Sequence, residues 1–229
     1  MLVVVSHAGD AGAHRLVERW QGHGARLLVA RDLCRPGWRH YAPGGDAGRA
    51  MIGGAPVPVA EIRGVVTRVP HIRALDLPQI VAEDREYVAA ELNAFLTAWL
   101  DTLPCPVLNR PSAGSLIGPA FSHERWLVAA ARAGISVATR RHRAPALDRP
   151  PAMAIATVVG ERWFGAVEPE VGAQAVRLAR AAGVELLTVR FTSASPGAAF
   201  TSADLLVDVT PEIADAILAR MAQLAESRR

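Results

Sequence analysis

Four places in the sequence carry side chains able to grip a ligand. His7-Ala8-Gly9-Asp10-Ala11-Gly12 follows a short apolar run. Arg68 ends a second such run, Asn109-Arg110 ends a third, and Asp208 stands just before the last amphipathic segment. Open α/β sheets bind ligands in loops beyond the carboxyl ends of their strands, so His7, Asp10, Arg68, Asn109, Arg110 and Asp208 are the candidate ligand-binding residues. The guanidinium groups of Arg68 and Arg110 suit bidentate contact with a carboxylate or phosphate. Both arginines also suit a purely structural role, pairing with Asp10, Glu91 or a carbonyl at a helix end. Asp10 is placed to cap the helix that follows it.

No catalytic set emerges. The first turn has only Gly9 and Gly12 and is not a dinucleotide fingerprint. The seven histidines (His7, His14, His23, His40, His71, His123 and His142) form no HExxH motif and no i, i+4 pair, so no metal site is expected. Ala113-Gly114-Ser115-Leu116-Ile117-Gly118 has the wrong spacing for a nucleophile elbow. Cys34 and Cys105 lie too far apart for a ligand pair and read as structural thiols in a reducing cytoplasm. All 25 basic residues are arginine. A P-loop lysine, a Schiff-base lysine and any lysine clamp on ATP phosphates are therefore excluded. The run Arg140-Arg141-His142-Arg143 has no interleaved aromatics and no helical period, so a nucleic-acid partner is not expected.

These residues need a scaffold. Leu2 to Ser6, a helix from His14 to Gly24 and Arg26 to Ala30 read as β-α-β, which favours a parallel sheet covered by helices. Residues 35 to 60 are rich in glycine and proline and read as loop with a small hairpin near Met51 to Val59. Gly64 to Val69 is a buried strand. Glu83 to Leu103 is a helix stopped by Pro104, and Pro106 to Asn109 is a short strand. Ser122 caps a helix that ends at Gly134, and a strand follows over Ile135 to Thr139. Residues 140 to 151 hold four arginines and three prolines and read as a crossover. Beyond it come strands at Met153 to Val159 and Arg162 to Val167, a helix at Val171 to Ala182, and strands at Glu185 to Phe191 and Asp204 to Val209. Thr210-Pro211 opens the last helix.

The chain has 229 residues, 51% hydrophobic and 21% charged, enough for one compact domain or two small lobes. No apolar run approaches membrane-spanning length, and the N-terminus reads as a strand, not a signal peptide, so a cytoplasmic protein is expected.

The order of these features resembles the ATP-grasp ligases, above all the microviridin-type ligases of ribosomal-peptide (RiPP) maturation. The resemblance runs through Val3-Val4-Val5-Ser6-His7 with Asp10, Ile62 to Pro70, Tyr87-Val88 with Glu91, Pro106-Val107-Leu108-Asn109-Arg110-Pro111, and Ala131 to Ile135. In the second half Thr157-Val158-Val159-Gly160-Glu161-Arg162 resembles the V-V-G-D/E hairpin, Ala182 to Phe191 the G-V-D-F strand, and Leu206 to Pro211 the metal strand L-E-V-N-P. The implied architecture is an α/β protein with a pre-ATP-grasp-like, mostly parallel sheet over 1–111. A reduced ATP-grasp-like core follows over 112–229, with the 140–151 crossover in place of the ATP-gripping subdomain.

The departures from that pattern concern chemistry. His123 stands where a lysine is usual, and the later phosphate lysine has no counterpart. Arg190 replaces the acidic residue of V-D-F, Asp208 the glutamate of E-V-N-P, and Thr210 its asparagine. Magnesium needs hard oxygen ligands, and phosphoryl transfer needs cation clamps. The expectation is a non-catalytic accessory or binding protein, with no cofactor, in a peptide- or amino-acid-modifying pathway. The expected partners are a second copy of the chain or another protein, with a peptide or small carboxylate as ligand. The alternative is an ATP-dependent carboxylate–amine ligase with an atypical site, or another chemistry on the same fold.

Overall fold

The computed structural model describes residues 1–40, 48–138 and 153–227. The crossover expected at 140–151, with its arginine run, lies outside the described residues. In chain order the elements are β1 (Leu2–Val5), α1 (Ala11–Arg19), β2 (Arg26–Leu28), α2 (Ala30–Leu33), β3 (Arg49–Ile52), β4 (Ala55–Pro58), β5 (Gly64–Thr67), α3 (Arg85–Thr102) and β6 (Val107–Leu108). They continue with α4 (His123–Arg132), β7 (Ala154–Val159), β8 (Arg162–Phe164), α5 (Pro169–Ala182), β9 (Leu186–Phe191), β10 (Phe200–Asp204) and α6 (Pro211–Glu226). They form two compact units, Met1–Pro119 with Val209–Arg229, and Ala120–Asp208.

The first unit holds a four-stranded sheet in the order β2-β1-β5-β6, parallel throughout. Its central strands β1 and β5 are buried on both faces, as the unbroken apolar runs Leu2–Val5 and Val65–Val66 require. On one face Val3, Val5, Leu28 and Val65 pack with Leu96, Trp99 and Leu100 of α3. Helices α1 and α6 pack side by side. Trp20 is fully buried and donates its indole N–H to the Ala214 carbonyl at 3.2 Å. Gly64 gives α6 its approach to the sheet, since a Cβ there would lie 2.8 Å from Met221 Sδ. The last helix therefore folds with the first sheet, although the sequence order groups it with the strands before it.

The second unit holds an antiparallel sheet in the order β10-β9-β7-β8. Helices α4 and α5 bury Trp126, Ala130, Ala175 and Leu178 with Ala156, Val158, Leu187, Val189 and Phe191. The α/β reading holds, with the second sheet antiparallel.

Several boundaries differ from expectation. Ile135 to Thr139 is no strand over its described residues. It crosses β10 at a single bridge, Val137 to Phe200, held by Phe200 N–H to Ser136 O and Ala138 N–H to Phe200 O. The last strand is Phe200–Asp204, not Asp204 to Val209, because Phe200 is fully buried and pairs with Phe191. β8 ends at Phe164 because Gly165 takes φ 130°, where a Cβ would meet the Ile155 carbonyl oxygen at 2.2 Å. Helix α1 starts at Ala11, earlier than expected, because Asp10 caps it. The short helix α2 was not expected at all.

Candidate functional site

Arg68, first residue after β5, is 7% exposed. Its backbone N–H donates to Val5 O at 2.7 Å, which fixes it beside the end of β1. Its side chain grips Asp10 with two hydrogen bonds, Nε to Oδ2 at 2.8 Å and Nη2 to Oδ1 at 3.4 Å. Asp10 in turn accepts the Gly12 and Ala13 N–H groups at 2.8 and 3.2 Å. One carboxylate thus caps α1 and ties it to β5. The guanidinium lies so close to the first turn of α1 that a Cβ on Gly12 would stand 2.4 Å from Nη2. Burial pushes the Asp10 carboxyl up, but the hydrogen bond and charge of Arg68, with the two backbone N–H groups, outweigh it and hold the pKa below the usual carboxylate range.

His7 stands two residues past the end of β1. Its Nδ1 lies 3.0 Å from Asp76 Oδ1. Asp76 also accepts the Arg73 N–H at 2.9 Å and stands 3.5 Å from Arg73 Nε. The ends of β1 and β5 therefore carry two acid–base contacts side by side, Asp10 with Arg68 and Asp76 with His7.

Asn109 and Arg110 follow β6, the neighbour of β5. Asn109 is 4% exposed and donates Nδ2–H to Ile117 O at 3.1 Å, closing the loop behind it. Arg110 Nη1 donates to the Asp101 carbonyl at 3.1 Å and lies 3.6 Å from its carboxylate, satisfying the end of α3. Asp208, last residue of the second unit, is exposed. His7, Asp10 and Arg68 thus gather past the carboxyl ends of the two central strands, with Asn109 and Arg110 after the adjoining strand. Both arginines make the tying contacts that the structural alternative anticipates; a ligand role stays a proposal.

Sequence reasoning missed two carboxylates. Asp76 sits in an irregular stretch with no periodic signal, so its contact with His7 was invisible. Asp32 is 3% exposed and accepts backbone N–H groups of Val29, Gly53 and Gly54 at 3.3, 3.3 and 3.0 Å. The only hint was the Gly53-Gly54 pair, whose amides need an acceptor when a hairpin turns inward.

No family model matches the sequence, and no curated protein matches it. Solved structures do. The macrocyclase MdnC bound with precursor peptide MdnA, from Microcystis aeruginosa MRC, superposes with TM-score 0.69 over 97% of this chain and 99% of that one, at 13% identity. This chain has an ATP-grasp-like fold. A Chryseobacterium gregarium RiPP-associated ATP-grasp ligase, in complex with ADP and a leader and core peptide, gives TM-score 0.67 over 97% and 96% at 11% identity. The ATP-grasp ligase PsnB, complexed with minimal precursor, Mg and ADP, gives 0.65 over 96% and 98% at 14%.

An ATP-grasp fold implies a magnesium–nucleotide site, and of Arg190, Asp208 and Thr210, the residues that the resemblance assigns to it, only Asp208 is an anionic oxygen donor of the kind magnesium takes. Thr210 accepts Ile213 N–H on its hydroxyl oxygen at 3.2 Å as the cap of α6. Arg190, on β9, is a cation and offers a metal no ligand. Among the described residues no three His, Cys, Asp or Glu side chains gather to hold a metal. Among them, too, no helix is long and apolar enough to cross a membrane.

Proposed function

We propose that this chain is a non-catalytic, ATP-grasp-like binding or accessory protein in a peptide- or amino-acid-modifying pathway of the cytoplasm. The observation that carries this reading is the lysine-free sequence on an ATP-grasp-like frame. Phosphoryl transfer depends on cation clamps and Mg²⁺ to neutralise charge developing in the transition state. The absent lysines work against the clamps, and Arg190 works against the metal. The likeness to ligases solved with precursor peptides supports a peptide as ligand. On this reading residues 1–111 are the pre-ATP-grasp-like part and 112–229 the shortened core. His7, Asp10, Arg68, Asn109, Arg110 and Asp208 are its ligand-facing residues, and a second copy or another protein is its partner.

The test is nucleotide binding by calorimetry, with and without Mg²⁺, followed by capture of a precursor peptide on immobilised protein. The expected result is no Mg²⁺-dependent ATP complex together with retained peptide. A tight Mg²⁺-dependent complex favours the alternative, an ATP-dependent carboxylate–amine ligase with an atypical site.

A further inference from the structure

A cleft of about 660 Å³ opens in the first unit, between α3 and the loop that follows β6, with His71 at its rim. That volume falls in the range of small-ligand and short-peptide sites. Its floor is one face of α3, where Ala90, Ala94 and Ala98 recur at i, i+4 and i+8, and its opposite wall is the turn Pro111 to Leu116. Three methyl-only positions on an exposed helix face let a second chain approach the helix backbone closely. From Ala90 to Asp101 the helix rises about 16 Å at ~1.5 Å per residue, the span of about five residues of extended chain at ~3.3 Å each.

The polar groups of the cleft are sorted by kind. Thr97 and Ser112 spend their hydroxyl protons inside the protein, on Asn93 O and Gly118 O. Ser115 does not. It is 9% exposed, its oxygen accepts Ile117 N–H at 3.3 Å, and its own proton has no acceptor among the described residues. The Ala113 and Gly114 N–H groups, at the tip of the same turn, have no partner among those residues either. Donors thus gather on the turn. At the far end of the floor stands the Asp101 carboxylate, 73% exposed and only 3.6 Å-close to Arg110. Carbonyl acceptors beside the turn and a cation beside Asp101 complement this arrangement.

We propose that this cleft seats a short, extended peptide segment with small side chains and one basic side chain, its carbonyls on Ser115 and the 113–114 amides and its cation on Asp101. The proposal rests on the peptide-binding reading above and adds a seat and a sequence preference to it. The probe is acetyl-Ala-Ala-Ala-Ala-Lys-amide, titrated into the full chain carrying ¹³C-methyl alanine, with the glutamate-ended peptide as control. Shifts are expected at the Ala90, Ala94 and Ala98 methyls. The A94W variant fills the cleft from an exposed helix position and abolishes them. S115A weakens binding about fivefold and D101N about threefold for the lysine peptide alone. Shifts confined to other alanines, undiminished in A94W, overturn the seat while a captured precursor peptide upholds the broader reading. Failure of both pentapeptides to shift any of the three methyls also overturns the seat. Loss of precursor capture is the separate result that overturns peptide binding as a whole.

Discussion

Arg68 and Asp10 form the most consequential pair in the first unit, because both are largely buried and each answers for more than one contact. Removing the guanidinium leaves a carboxylate in a low-dielectric place with only two backbone donors. Arg68→Ala is therefore expected to lower stability by on the order of 3 kcal/mol in a denaturant titration. If the variant melts like the parent but loses its peptide, Arg68 belongs to the ligand instead. Gly12→Ala reaches the same pair from the other side. Its Cβ would displace a pinned guanidinium, at a cost of about 1–3 kcal/mol, and that cost should shrink sharply in the Arg68→Ala background, where the space is free. Acid should act on this pair too. The Asp10 pKa is depressed in the folded chain, so the unfolded chain takes up the proton first as pH falls. The stabilisation is fully present above the unfolded carboxylate value and is lost as pH falls through that value and the lower folded one. Melting curves of the parent and Asp10→Ala should converge across that window; parallel curves would refute the linkage. Arg110→Ala, at an exposed helix end, should cost less than about 1 kcal/mol.

Elements owe their positions to a few anchors that lie far apart in sequence. Asp32 holds the β3–β4 turn through the Gly53 and Gly54 amides while capping its own helix start through Val29. Asp32→Ala orphans three backbone donors and should cost about 2–4 kcal/mol, read as a lower denaturation midpoint. The second sheet offers the opposite case. Thr188 on β9 is 6% exposed, and its hydroxyl has no hydrogen-bond partner among the described residues. Thr188→Val keeps the shape and the strand preference and removes an unsatisfied polar atom. It should be neutral or stabilising by up to about 1 kcal/mol. The exposed Arg19–Asp215 bridge between α1 and α6, although bidentate at 2.8 and 2.7 Å, should contribute nothing measurable when Asp215 is replaced by alanine.

At the scale of the molecule, a core without the ATP-gripping subdomain would leave a sheet face without cover. Thr157, Val159, Leu186 and Thr188, on the face turned away from α4 and α5, are nevertheless buried. What remains open is smaller: Met153, Ile155 and Leu206 are 47%, 46% and 41% exposed. Apolar area contributes roughly 25 cal/mol per Å², so three side chains favour a weak dimer over an obligate one. Sizing with light scattering should show dimer that dissociates on dilution, and Ile155→Glu should shift it to monomer. A monomer at high micromolar concentration would leave a different protein as the partner.

The sequence by itself determined the α/β class, the apolar strands, the helix caps at Asp10, Ser122 and Thr210, and the lysine-free chemistry. Those depend on local pattern and residue type, which neighbours in sequence already fix. It also fixed which residues stand at the carboxyl ends of β1, β5 and β6, because strand ends follow from where apolar runs stop. Only the tertiary structure decided that α6 returns to the first sheet, that the last strand is Phe200–Asp204, and that His7 meets Asp76. An amphipathic stripe says that a helix needs a surface and not which one. A strand's bounds are set by its partner's register, and a side-chain contact across 69 positions leaves no trace in local spacing. The cleft of α3 belongs to the same class: Ala90, Ala94 and Ala98 read as ordinary helix formers until the 111–116 turn faces them.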